Sequence, residues 1–164
     1  MAVTVKRGRP GISPAYGIHQ DEQGLIDWSW VDERMTKSRN YWIVSVTPEG
    51  KPHSAPVWGV WMDGALYFGS APSARKTKNL LAKPDVVVNL ESGDETVILE
   101  GIAERVTDRD LLIKLAKPYD AKYPGMQSNF ADDPSTVMFV VKPRKALAWL
   151  EHDFPRTATR WLFD

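Results

Sequence analysis

The 164-residue chain contains no cysteine. That absence excludes disulfides, thiolate nucleophiles, Cys-ligated zinc and iron–sulfur clusters together, and it is compatible with a reducing compartment. Charge of one sign is also missing: Lys plus Arg and Asp plus Glu both total 21. Bulk charge therefore points neither to a nucleic-acid binder nor to a polyanion mimic. No apolar run approaches the ~20 residues of a membrane span. The opening MAVTVKRGRPG is basic but lacks the apolar stretch of a signal peptide. These features predict a soluble, cytoplasmic protein. Only three histidines occur, His19, His53 and His152. They lie far apart with no i,i+4 partner, and are read as surface or packing residues rather than metal ligands. There is no Gly-x-Gly-x-x-Gly, no P-loop and no Gly-x-Ser-x-Gly. The neighbouring carboxylates Asp94–Glu95 and Asp132–Asp133 fall in turn-like contexts. A hydrolase with its own nucleophile and base has little support, so any catalysis is expected to come from a bound cofactor.

What is present is an ordinary hydrophobic fraction of 43%, enough to bury a core in one domain spanning 1–164. Residues 1–26 show no clear period and read as a loosely ordered, extended arm. DWSWVDERMTKS (27–38) predicts a short helix with a capping box at Ser29 and Asp32. Strands follow at YWIVSVT (41–47), PHSAPVWGVWM (52–62), ALYFGS (65–70), DVVVNLES (85–92) and TVILEGIAERVT (96–107). Tight-turn sequences, including the hairpin signal Asp63-Gly64, join most of them. Pro56 argues that the second strand lies at an edge or a bulge. Thr107 and Asp110 suggest a second capping box, before a helix interrupted near Pro118. STVMFVVKP (135–143) and KALAWLE (145–151) read as two last strands. A long antiparallel set of this kind tends to close into a barrel, which removes its edges.

One stretch is electrostatically odd. SAPSARKTKNLL (70–81) reads as a loop entering a helix, with Ser73 as N-cap and Pro84 as the stop. Arg75, Lys76 and Lys78 then crowd the positive end of the helix dipole, where each cation costs roughly 0.3–1 kcal/mol. A solvated basic face is one reading. An anion site is the other: helix N–H groups, the Ser73 and Thr77 hydroxyls, and converging cations around a phosphate. A bound phosphate reverses the local field and explains the misplacement.

In order along the chain stand D-G-x-L-Y-F, S-x-R-K-x-K-N-L, K-P-x-V-x-V and E-G-x-A-E, followed by AKPYDAKYPG and TRWLF. Over roughly residues 35–150 this series resembles the flavin- and deazaflavin-binding split-barrel family, the broad group around pyridoxamine 5′-phosphate oxidase, and within it the small deazaflavin reductases. The resemblance implies a mainly β fold with flanking helices: a six-stranded antiparallel split barrel. It further implies a homodimer with cofactor sites at the subunit interface. The cofactor phosphate would lie against Arg75, Lys76 and Lys78, with Asn79 and Ser70 nearby. The ring would lie along Ser54, Ala55, Pro56, Val57 and Trp58, with backbone groups on its edge. Trp149, Arg160 and Trp161 would be wall residues from the partner chain, although Arg160 is equally a surface cation in a C-terminal tail.

Departures from the family narrow the chemistry. The vitamin-forming oxidase carries an Arg-x-His pair near its C-terminus, and this chain ends in ATRWLFD without one. The remaining expectation is hydride transfer from reduced coenzyme F420 to a small, electron-poor organic substrate. FMN is the alternative cofactor; Lys78 and Arg160 suit the longer acidic tail of the deazaflavin. A binding protein that carries a flavin, deazaflavin or tetrapyrrole without turnover is the reading from another class.

Overall fold

In the computed structural model, which describes residues 5–164, every strand pairing is antiparallel. The strands are β1 (Val5–Gly8), β2 (Asn40–Val46), β3 (Pro52–Trp58), β4 (Val60–Met62), β5 (Ala65–Ser70), β6 (Asp85–Asn89), β7 (Glu95–Arg105), β8 (Val137–Leu150) and β9 (Thr159–Phe163). The helices are α1 (Trp28–Lys37), α2 (Arg75–Ala82), α3 (Arg109–Lys122) and the single turn α4 (Phe154–Thr157). One path runs β1-β9-β8-β7-β6-β2-β3, and β5 branches from β8 carrying β4. The architecture is the expected one, mainly β with flanking helices. The count is nine strands rather than six, and no ladder joins β3 to β4 or β5 to close the sheet.

The expected strand at 52–62 is two strands broken at Gly59, and the two expected at 135–151 are one. β8 pairs with β7 through residues 139–150. Its other edge pairs with β5 through residues 137–141 and with β9 through residues 145–148. Pro143 sits at the changeover, where neither strand needs its missing N–H. It faces a register shift at Glu100/Gly101. A side chain at Gly101 would place its Cβ 2.4 Å from the Lys142 carbonyl oxygen. Proline there marks a bend and not an end.

The helix starts also differ from expectation. Asp27, not Ser29, precedes α1, and it makes no side-chain cap. Ala74, not Ser73, is the N-cap of α2, and the Thr77 hydroxyl instead donates to the Ala71 carbonyl at 2.7 Å. Asp108, not Thr107, caps α3 by accepting from the Leu111 N–H at 2.7 Å. Pro118 lies inside α3 without interrupting it. It costs that helix one hydrogen bond, a loss outweighed by the burial of Leu115 and Tyr119 on either side.

The core has two parts. One fills the sheet interior around Tyr41, Ile43, Leu66, Phe68, Leu99 and Trp161. The other lies under α3, around Tyr67, Leu115, Tyr119, Tyr123 and Met138. β5 separates them: Leu66 and Phe68 point to the first, Ala65 and Tyr67 to the second. A strand buried on both faces reads as the near-continuous apolar run that ALYF is. Residues 5–26 make specific contacts with the C-terminal part of the chain. β1 adds to β9, and the Arg9 guanidinium binds the carbonyls of Asp21, Gln23, Arg156 and Ala158. Among the described residues no helix is long and apolar enough to cross a membrane.

Candidate functional site

β3 is an edge strand hydrogen-bonded only to β2, so one side of its backbone is unpaired, as Pro56 anticipates. Along it Ser54, Pro56 and Trp58 are exposed, whereas Ala55 and Val57 turn inward. The strand ends at Gly59, where a Cβ would stand 2.9 Å from the Tyr67 carbonyl oxygen. That close approach keeps the position small and lets side chains reach its backbone. The Gly59 N–H donates to the Tyr123 hydroxyl at 2.9 Å. The Gly59 carbonyl accepts from Lys122 Nζ at 2.8 Å and lies 2.9 Å from the same Tyr123 hydroxyl. Lys122 also donates to the Tyr41 hydroxyl at 2.7 Å, and Tyr41 in turn donates to the Met35 carbonyl at 2.5 Å. The Tyr119 hydroxyl lies 3.2 Å from the carbonyls of both Trp58 and Tyr67.

This network holds Trp58. Its indole is 44% exposed and stacks on the Tyr123 ring with centroids 4.4 Å apart and planes 5° apart. The Arg39 guanidinium stands 5.4 Å from both ring centroids. Burial, and then the neighbouring Arg39 charge, pulls the Lys122 ammonium down to about 8. Burial pushes the Tyr41, Tyr119 and Tyr123 phenols up. Tyr119 and Tyr123 therefore serve as anchors on backbone carbonyls and are poor proton donors.

A cavity of about 270 Å³ opens beside Trp58. Ser70, Tyr119, Met126, Phe130 and Thr136 line it with the indole, and every lining side chain is uncharged. Ser70 is 6% exposed, and among the described residues its hydroxyl has no hydrogen-bond partner. One step further along the chain is the start of α2. Arg75 and Lys78 are exposed there and Lys76 is half-buried. Among the described residues none of the three has a carboxylate within salt-bridge distance. The orphaned Ser70 hydroxyl and, a few residues on, cations without a carboxylate partner are the kinds of donor a phosphate accepts from.

Four expected site residues lie elsewhere or face inward. Asn79 is fully buried beneath α2, where its amide donates to the Ser45 hydroxyl at 3.0 Å, so it does not share the surface of the cations. Trp161 is 1% exposed and packs edge-on against Trp28 at 5.4 Å. Residues alternate along β9, and Trp161 takes the inward position; it lines no open site. Trp149 packs edge-on against Phe154 at 5.4 Å. Both Trp149 and Arg160 stand on the outer face of β8 and β9, separated from β3 by β7, β6 and β2. Within one chain they do not approach Trp58. The Arg160 Nε is buried without a partner among the described residues.

Lys122, Arg39 and Tyr41 were not expected at the site. The signal for Lys122 was present: Leu115, Tyr119, Lys122 and Tyr123 follow the i, i+4, i+7, i+8 stripe of a buried helix face. A lysine on that stripe needs an internal acceptor. Arg39 and Tyr41 gave no local signal. Among the described residues no cluster of three or more His, Asp or Glu is placed to hold a metal.

The non-closed antiparallel sheet with flanking helices, its exposed edge strand beside a cationic helix start, has the architecture of a split barrel. The pyridoxamine 5′-phosphate oxidase family model matches residues 30–150, and the chain belongs to that family. Among solved structures, a conserved hypothetical protein from Mycobacterium tuberculosis aligns with TM-score 0.68 and 22% identity, covering 80% of this chain and 89% of that one. An F420 reductase aligns with TM-score 0.56 and 24% identity over 70% of this chain and 94% of that one. The heme storage protein HutZ from Vibrio cholerae aligns with TM-score 0.61 and 14% identity over 70% and 88%. At these identities the likeness concerns the fold. No curated relative matches the chain.

Proposed function

We propose that the protein is a two-electron oxidoreductase that binds coenzyme F420, with FMN as the alternative, and acts on a small, electron-poor organic substrate. The observation that carries this reading is the run of three cations at the start of α2 without a carboxylate in salt-bridge distance among the described residues, closely following in the chain the orphaned hydroxyl of Ser70. When bound, the coenzyme supplies a hydride. The chain supplies position and exclusion of water. Arg75, Lys76 and Lys78 hold the phosphate; Ser70 offers it a hydroxyl; the free edge of β3 at 54–58 offers backbone groups to the ring edge.

Assembly as a homodimer is part of the reading. The outer sheet face presents Trp42, Val44, Val87, Ile98, Leu147 and Leu162, all only half-buried in the single chain. The register pairs Val44 with Val87 and Ile98 with Leu147, and sets Glu100, Lys145 and Arg160 among them, so the face is apolar with charged residues interspersed. A second copy packed there would bring its own Trp149 and Arg160 towards a site their own chain cannot reach. A cytoplasmic location is part of the same reading.

Titration of the purified protein with F420 and with FMN, followed by tryptophan fluorescence, tests the reading. Lys76→Ala should weaken the preferred coenzyme by roughly 1.5–3 kcal/mol, the worth of a hydrogen bond to a charged group. Unchanged affinity would remove the anion site. Carriage of a tetrapyrrole without turnover is the second reading, suggested by the fold shared with a heme storage protein. Tight haem binding with no reduction of any acceptor by reduced coenzyme would favour it.

A further inference from the structure

The cluster around Trp58 does more than finish β3. Six of the seven tryptophans are buried or half-buried; Trp58 is exposed. One face of its indole is covered by Tyr123 in a nearly coplanar stack. Tyr123 is pinned through its hydroxyl to the backbone at Arg39 and Gly59, and Tyr119 is pinned to the carbonyls of Trp58 and Tyr67. The indole is thus held rigidly with its second face unstacked, next to a cavity whose walls carry no charge. At about 270 Å³ that cavity lies just below the ~300 Å³ at which drug-sized pockets begin, so it suits one or two fused rings. Arg39 is exposed, has no carboxylate within salt-bridge distance among the described residues, and holds its guanidinium 5.4 Å from the indole centroid. A fixed aromatic face attracts a flat π-system, and an uncommitted guanidinium attracts an oxygen on its rim.

We propose that Trp58 and Arg39 form the acceptor subsite: a platform for a small planar conjugated molecule whose edge carries an anionic oxygen directed at Arg39. This rests on the coenzyme reading above, which places the ring on the adjoining backbone of β3. Trp58 supplies stacking, Arg39 supplies selection among flat acceptors by charge, and the Tyr123–Gly59 hydrogen bonds keep the platform from turning.

Equilibrium binding of 1,4-naphthoquinone-2-sulfonate and of uncharged 1,4-naphthoquinone to the full chain tests this, with F420 and FMN binding measured in parallel. The expected result is that Trp58→Leu weakens both quinones about tenfold, the equivalent of one stacking contact. Arg39→Gln should weaken the sulfonate by about tenfold or more and change the uncharged quinone less than about twofold. Equal effects of Arg39→Gln on both quinones, or a sulfonate affinity that Arg39→Gln leaves unchanged, overturns the charge selection. Quinone binding that survives Trp58→Leu overturns the platform. If neither coenzyme binds the wild-type protein yet the two substitutions act on the quinones as expected, the coenzyme reading fails and the planar-ligand subsite stands.

Discussion

The start of α2 and the break at Gly59 are the two halves of the site, and they are built in opposite ways. At α2 the functional groups are consecutive in sequence, exposed and uncommitted. Arg75, Lys76 and Lys78 make no ion pairs among the described residues, and the helix start has no side-chain cap. Around Gly59 the groups come from residues 39–41, 58–59 and 119–123, and nearly every polar atom is satisfied internally. The first region spends no folding energy on its charges and keeps them for a ligand. The second spends its polar groups on holding one indole still. Recognition of charge and recognition of shape are thus assigned to different kinds of structure.

Breaking the Gly59 network should have the largest effect on folding. Tyr123→Phe strands the Gly59 N–H and a backbone carbonyl in a buried setting, at roughly 1–3 kcal/mol for each unsatisfied group. A loss of about 3 kcal/mol in urea unfolding is expected, with little change at α2. The reverse holds for Lys76→Ala: the roughly 1.5–3 kcal/mol loss in coenzyme affinity should be accompanied by a stability change within about 0.5 kcal/mol, because the residue has no internal partner. A substitution in one region that moved both readouts would erase the distinction between them.

Titration sharpens the contrast further. The folded pKa of Lys122, about 8, lies below its ordinary 10.5. Between those values the unfolded chain binds more protons, so stability should rise as pH climbs from about 8 to 10.5. Tyr41 and Tyr119 oppose this above their ordinary 10.0, because the unfolded phenols ionise first and the folded state then loses stability. A modest rise from pH 8 that turns over near pH 10 is expected. It is modest because Lys122 is half exposed to screening. Lys122→Met should flatten the rise in denaturation midpoints and leave the high-pH fall; a wild-type profile without the rise removes Lys122 from the buried network. The smallest effect is that of salt. Exposed cations at α2 are screened within a Debye length of ~10 Å at 0.1 M. Coenzyme affinity should therefore weaken as NaCl is raised, while unfolding midpoints at fixed pH stay nearly constant.

Legibility followed the same division. The cationic cluster, the hairpin at Asp63-Gly64 and the edge position of the Pro56 strand were visible because each is a property of a few consecutive residues. Strand ends were misjudged where backbone geometry overrode local signals: Pro143 bends β8 without ending it, and Gly59 ends β3 where the apolar run continues. Helix caps shifted to Asp108 and Ala74 for the same reason. Asn79 and Trp161 show the limit of a motif, which places a residue near a site but does not say which way it faces. Asn79 turned inward to Ser45 and Trp161 inward to Trp28.

Composition and order along the chain determined the mainly β class, the family and the existence of a charge cluster with no local partner, because such properties add up from neighbouring residues. Folding alone decided that Lys122 reaches the carbonyl of Gly59, that Tyr123 backs Trp58 and that Arg39 stands beside them. The Lys122–Gly59 and Tyr123–Arg39 contacts join residues 63 and 84 apart, and only the packing of α3 against the β3–β4 break brings them within hydrogen-bonding range.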